Sequence, residues 1–177
     1  SFTNQQLVSP IPKASNQNRP FVLAFSNSSP HKRLKDIRDI YLKLQDLGCI
    51  VPFYVVCPSS IFDLYSEIDG DLSQFNIIQP SDQELINLYR RCICFLAVSE
   101  DEGFNIPLLD AALFGCSIVS SNIDIHKEVL KDYPSTFVPV GNIDSYTQAI
   151  QSLLSGNSSN IKSAHHQDFL KQYIGSQ

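Results

Sequence analysis

Three consecutive carboxylates, Glu100, Asp101 and Glu102, stand just ahead of Gly103-Phe104-Asn105-Ile106-Pro107-Leu108-Leu109-Asp110. The apolar run Ile93 to Val98 before them is short and sharply bounded, as a buried strand is. Leu108 to Phe114 after them reads as a helix stopped by Gly115. Asn105 is a natural cap for that helix, and Pro107 falls in its first turn, where a missing N–H costs nothing. The acids therefore sit in a strand-to-helix turn at the carboxyl end of a strand, the edge where open α/β sheets bind ligands. Gly103 lets the backbone approach a ligand, and the helix start offers unpaired N–H groups to an anion. Helical side chains tilt towards the helix start, so Asp110 can lean to the same mouth. The competing reading is a solvated acidic turn, because acids also favour helix starts for electrostatic reasons alone.

A second candidate is the loop Ser26-Asn27-Ser28-Ser29-Pro30-His31-Lys32-Arg33, which follows the first apolar strand, Phe21 to Phe25. It has neither the three glycines of a dinucleotide fingerprint nor a Walker A pattern. A helix is predicted from Lys32 to Leu47, with apolar residues at Leu34, Ile37, Ile40, Tyr41, Leu44 and Leu47 and a stop at Gly48. Helix starts disfavour cations, so Lys32, Arg33 and Lys35 require an anionic neighbour there, unless the turn is simply basic and solvated. As an exposed loop residue Lys32 is expected to carry little stability.

The elements that must hold these loops alternate. Strands are predicted at Phe21–Phe25, Val51–Cys57, Phe75–Ile78, Ile93–Val98, Cys116–Ser120 and Thr136–Pro139. Helices are predicted at Lys32–Leu47, Ser60–Glu67, after the capping box Ser81-Asp82-Gln83-Glu84 through Arg91, at Leu108–Phe114, near His126 to Leu130, and at Ile143–Leu154 and Ile161–Ile174. Such alternation means a Rossmann-like, doubly wound parallel α/β sheet of about six strands. Residues 1–20, rich in Ser, Asn, Gln and Pro, read as a linker or edge segment, and 21–177 as one domain.

Composition narrows the function classes. The chain has 177 residues, 43% hydrophobic and 18% charged, which is one globular domain's worth. A net charge of −5 without a long basic run argues against nucleic acid as a partner. No apolar stretch approaches the roughly 20 residues of a membrane span. Cys57, Cys92, Cys94 and Cys116 lie in or beside apolar runs and read as buried, reduced thiols of a cytoplasmic protein. Cys92 and Cys94 have no metal-site spacing. The chain contains no methionine, which is compatible with an excised or processed piece.

Glu102-Gly103-Phe104-Asn105-Ile106-Pro107-Leu108-Leu109-Asp110-Ala111 resembles the signature of retaining glycosyltransferases of the GT-B fold, glycosyltransferase family four: Glu, seven residues, Glu, with Gly-Phe-Gly-Leu-Pro inside. Asp110 replaces the second glutamate and Asn105 the second glycine. In the first loop the family carries Gly-Arg and then a lysine, which together grip the donor diphosphate. Lys32 matches that lysine, whereas Ser26 and Asn27 replace the glycine and arginine. Ile123 to Val129 is similar to the family's His-Arg-Glu-Val segment, with His126 and Glu128 more readily structural than catalytic.

The resemblance implies the carboxy-terminal, donor-binding half of a hexosyltransferase. Glu102 would take sugar hydroxyls near the anomeric carbon and act as the catalytic carboxylate. Asp110 would take the ribose hydroxyls, Lys32 with Asn27 the diphosphate turn, and the amides of Gly103, Phe104 and Asn105 the sugar and phosphates. The family needs no metal or other cofactor, so the nucleotide-sugar is substrate only. Its acceptor-binding domain, normally amino-terminal, would be a partner domain or subunit, with any peripheral membrane contact made through it. The alternative is a non-catalytic nucleotide- or sugar-binding module of the same fold.

Overall fold

A computed structural model of the chain describes residues 11, 19–27, 29–57, 76–156 and 166–171. Six strands form one sheet: β1 (Val22–Phe25), β2 (Phe53–Val56), β3 (Asn76–Ile78), β4 (Cys94–Ala97), β5 (Ile118–Ser121) and β6 (Ser135–Val138). Their spatial order is β3-β2-β1-β4-β5-β6, and every pairing is parallel. The predicted Rossmann-like α/β architecture is therefore the observed one.

The helices are α1 (Leu34–Asp46), α2 (Asp82–Arg91), α3 (Ile106–Leu113), α4 (Asp124–Val129) and α5 (Ile143–Leu154). Alternate strand residues point to opposite faces, and both faces are covered. Val22, Ala24, Phe53, Val55, Leu96 and Val119 pack against Leu34, Ile37, Ile40 and Leu44 of α1 and Tyr146 and Ile150 of α5. Leu23, Phe95, Ala97 and Ile118 pack instead against Leu88 and Tyr89 of α2, Leu108, Leu109, Ala111 and Ala112 of α3 and Val129 of α4. Burial on both faces is why β1, β2 and β4 read as unbroken apolar runs.

Local chemistry sets the ends. Ser81 and Glu84 close a reciprocal capping box on α2. The largest departure from the sequence reading is at α1. Pro30–Lys32 makes one 3-10 turn, Arg33 then takes φ 50°, and α1 starts only at Leu34. A left-handed residue cannot continue a helix, so Lys32 lies in the turn ahead of α1 and not in its first turn. β5 begins at Ile118, two residues later than predicted, and α4 begins at Asp124, two earlier. The predicted helix at 60–67, most of the 1–20 segment and part of the last helix lie outside the described residues, although 166–171 are helical. Cys57, Cys92, Cys94 and Cys116 are buried and belong to no disulfide. Among the described residues no helix is long and apolar enough to cross a membrane.

The two faces of α1 should respond differently to truncation. Ile40, fully buried, should cost about 2–5 kcal/mol as Ile40→Ala. Leu42, 37% exposed, should stay within about 0.5 kcal/mol as Leu42→Ala. Urea denaturation of the two variants checks this.

Candidate functional site

Strand order reverses between β1 and β4, which are neighbours in space but not in sequence. A crevice opens at the carboxyl ends of strands where such a reversal occurs. The loop after β1 carries Lys32 and the loop after β4 carries Glu102, and the two meet: Lys32 Nζ lies 2.5 Å from Glu102 Oε1. The side chains are only 20% and 8% exposed, respectively. The anionic neighbour that the cationic turn requires is thus a carboxylate of the acidic turn. The acidic turn is not a row of solvated charges, and Lys32 is not the exposed loop lysine expected from sequence.

The acids divide as their positions demand. Glu100 Oε2 accepts from Arg33 Nη1 at 2.7 Å, and Asp101 is exposed. Arg33 also donates twice to the buried Asp36, at 2.7 and 3.2 Å. The guanidinium therefore ties the loop after β1 to the loop after β4, beside a backbone hydrogen bond from Glu100 N to the His31 carbonyl. It also crowds the loop after β6: a Cβ on Gly141, where φ is +77°, would stand 3.1 Å from Arg33 Nη2. Glycine is favoured there by backbone conformation, and a side chain would also press on the Arg33 guanidinium.

Glu102 Oε1 takes three donors: Lys32 Nζ, Ser99 Oγ at 2.7 Å and Asn105 Nδ2 at 3.4 Å. Among the described residues Oε2 takes none. The only fully buried side-chain polar atom without a partner among them is the Tyr146 hydroxyl, so Oε2 keeps contact with solvent.

Asn105 is the N-cap of α3 and adopts φ 52°. Asparagine tolerates this left-handed conformation better than any other residue with a β-carbon except aspartate. Its Oδ1 accepts from Leu108 N at 3.3 Å, which fixes which end of the amide is which. Nδ2 then faces both Glu102 and His126 Nε2, the latter at 2.8 Å.

His126 is fully buried. Its Nδ1 is surrounded by Ser120 Oγ at 2.8 Å, Ser121 Oγ at 3.0 Å and the Ser121 carbonyl at 3.2 Å. The Ser121 hydroxyl donates to the Ser99 carbonyl at 2.5 Å, so towards Nδ1 it can only accept. Nδ1 therefore carries the proton, and Nε2 accepts from Asn105. Burial lowers the His126 pKa below its ordinary value. The Ser121 carbonyl and the charge of Glu102 oppose this, and the charge of Lys32 assists it.

The remaining expected residues do not join this network. Asn27 Oδ1 accepts from Ser29 N at 2.8 Å, an Asx turn that closes its own loop. Gly103 has open space where a Cβ would stand, and Phe104 is 54% exposed. The amides of Gly103, Phe104 and Asn105 donate to no described residue. The Asp110 carboxylate, on the second turn of α3, has no hydrogen-bond partner among them, and burial raises its pKa. Sequence reasoning missed Ser99, Ser120 and Ser121 altogether and gave His126 no specific partner. The available signal was their common position, Ser99 just past β4 and Ser120 and Ser121 at the end of β5, at the edge that carries Glu102. No group of three His, Cys, Asp or Glu able to hold a metal occurs among the described residues.

The family model described as glycosyl transferases group 1 matches residues 72–168. Among solved structures, apo OtsA superposes with a TM-score of 0.69 at 15% identity, over 95% of this chain and 44% of that one. The α,α-trehalose 6-phosphate synthase of Burkholderia multivorans gives 0.66 at 12%, over 89% and 39%. TarM gives 0.60 at 13%, over 95% and 37%. The chain thus spans less than half the length of each. A comparison with curated proteins returns no match.

Two measurements probe the site without a ligand. Lys32→Ala leaves a largely buried carboxylate without its cation and should cost about 1–3 kcal/mol in urea denaturation. Lys35→Ala breaks the more exposed Asp39 pair and should cost under about 0.5 kcal/mol. The second measurement uses pH. His126 has a lower pKa folded than unfolded, so below about pH 6.5 the unfolded chain binds a proton that the folded chain excludes. Its contribution is fully present above that pH and lost as pH falls. The parent should therefore lose stability between about pH 7 and pH 5.5 more steeply than His126→Gln, which has no such proton to exclude.

Proposed function

Because the chain belongs to the glycosyl transferases group 1 family, we propose that it is the donor-binding part of a retaining hexosyltransferase of the GT-B class, glycosyltransferase family four. In this reading it binds a nucleotide-sugar, and the acceptor is held by a further domain or subunit. The observation that carries the reading is the distribution of hydrogen-bonding capacity at the β1–β4 crevice. Glu102 spends Oε1 on three internal donors and leaves Oε2 open, next to amides that donate to no described residue.

Each open group matches a part of a nucleotide-sugar. Glu102 Oε2 suits the sugar hydroxyls near the anomeric carbon, and Asp110, without a described partner, suits the vicinal ribose hydroxyls. Lys32 uses one ammonium donor on Glu102 and has two more for a diphosphate oxygen. The amides of Gly103, Phe104 and Asn105, just ahead of α3, add neutral donors for phosphate or sugar oxygens. Transfer with retention would follow a front-face course. The enzyme's task is then to stabilise charge as the leaving diphosphate departs, which positioned donors do without reorganising. Asn27 is the weakest member, since its carbonyl oxygen is held in its own turn.

The Lys32–Glu102 ion pair also favours a second reading, a non-catalytic nucleotide- or sugar-binding module, because the two charges partly neutralise each other. Transfer in the presence of the acceptor domain, lost by roughly a hundredfold in Glu102→Gln, separates catalysis from binding alone.

The direct test is thermal shift with UDP-, GDP- and ADP-glucose. One of them should stabilise the chain, and stabilisation by no nucleotide-sugar overturns the proposal. Gly103→Ala sharpens the test. With nothing within 4 Å of the added methyl, stability should hold within about 0.5 kcal/mol. A ligand lying against the Gly103 amide would clash with it, so affinity should fall about tenfold or more by calorimetry.

A further inference from the structure

The hydrogen bonds around His126 close into a ring that leads back to the carboxylate. Ser121 Oγ donates to the Ser99 carbonyl, and His126 Nδ1–H is turned to the hydroxyls of Ser120 and Ser121. Asn105 Nδ2 donates one proton to His126 Nε2 and the other towards Glu102 Oε1, and Ser99 Oγ donates to the same Oε1. Every direction in this ring is set by elimination. The Asn105 amide cannot rotate without losing the cap on Leu108 N. His126 cannot change tautomer without setting an N–H against the Asn105 NH2 group. The ring joins the end of β4, the end of β5, the start of α3 and the buried face of α4.

We propose that His126 is a positioning residue for Glu102: its neutral ring accepts from Asn105, which then holds Glu102 Oε1 inward and leaves Oε2 facing the ligand. The proposal rests on the nucleotide-sugar reading of that edge, but its geometry does not. The carboxylate's other two donors, Lys32 and Ser99, bring an ion pair and a rotatable hydroxyl. Only the Asn105 contact is fixed in direction by partners on both sides. A glycine at position 105, as in the signature that this stretch resembles, offers no amide and would leave the histidine unconnected to the carboxylate. In this chain the asparagine supplies that link, with Nδ2 placed between His126 Nε2 and Glu102 Oε1. The charges facing the ring are Glu102, on the loop before α3, and Lys32, on the loop after β1.

The test uses two isosteric halves of the imidazole in the full chain. His126→Gln places an amide near Nε2 and can still accept from Asn105, whereas His126→Asn places one near Nδ1 and cannot. The first readout needs no ligand. In the NMR spectrum the two Asn105 side-chain amide protons should be widely separated and slow to exchange in the parent and in His126→Gln, and should collapse towards the free-amide position in His126→Asn. Glu102→Gln should move one of the two alone. The second readout is calorimetry with whichever of UDP-, GDP- or ADP-glucose stabilises the parent. Affinity should fall less than threefold in His126→Gln and at least tenfold in His126→Asn, at matched loss of folding stability. Equal NMR signatures in the two variants, or affinities that follow stability alone, overturn the proposal. A parent that binds no nucleotide-sugar fails the functional reading, while the amide signature still decides whether His126 directs Asn105 towards Glu102.

Discussion

Everything at the carboxyl edge of this sheet depends on the cost of putting a carboxylate where water is scarce. The Glu102 side chain is 8% exposed, and an ionised group so placed has to be matched by donors. The chain matches it with a cation from a loop 70 residues earlier, a hydroxyl from the same turn and an amide from the next helix. Each partner then fixes something else. Lys32 requires the 3-10 turn that displaces the start of α1. Asn105 requires a left-handed backbone and, in return, caps α3. Ser99 ties the end of β4 to β5 through its carbonyl. The parallel sheet brings these loops to one edge, and the carboxylate determines how they meet.

The fold was legible because burial on both faces leaves a coarse mark. The central strands β1, β2 and β4 stand out as apolar runs, and Gly48 and Gly115 stop their helices in the left-handed conformation. Boundaries were less legible where one backbone angle decides them. Nothing in Pro30-His31-Lys32-Arg33 announces that Arg33 takes φ 50°, so the periodic apolar residues of α1 pulled its predicted start forward to Lys32. Glu102, Asn105 and Lys32 could be named as candidates from residue type and place. Their mutual contact could not be read, because a partner 70 residues away leaves no local pattern. His126 was the least legible. One histidine carries no periodicity, and its importance lies in which atoms surround each ring nitrogen.

Asparagine in the acidic turn, where the signature that this stretch resembles has glycine, makes side-chain contacts of its own. The position needs a positive φ, which glycine supplies by having no side chain and asparagine supplies at a modest cost. With the conformation met either way, asparagine adds three hydrogen bonds that glycine cannot form: to Leu108 N, to Glu102 and to His126. An extra cap and a pinned carboxylate restrict the turn, and under the proposed donor-binding role such restriction would lower the ordering cost of binding.

An acidic turn that served only stability would be expected to use its polar atoms up. This one does so on a single side. Facing the sheet, Glu102 Oε1, the Asn105 amide, both nitrogens of His126 and the hydroxyls of Ser99, Ser120 and Ser121 all have partners. Facing outward, Glu102 Oε2, the amides of residues 103–105 and the Asp110 carboxylate have none among the described residues. Burial also raises the Asp110 pKa, since desolvation disfavours the charged carboxylate. Acceptors and neutral donors left open together, beside a lysine with donors to spare, complement a ligand that is rich in hydroxyls and carries negative charge. The proposed donor-binding role rests on that asymmetry, which a turn that only stabilised the fold would not need.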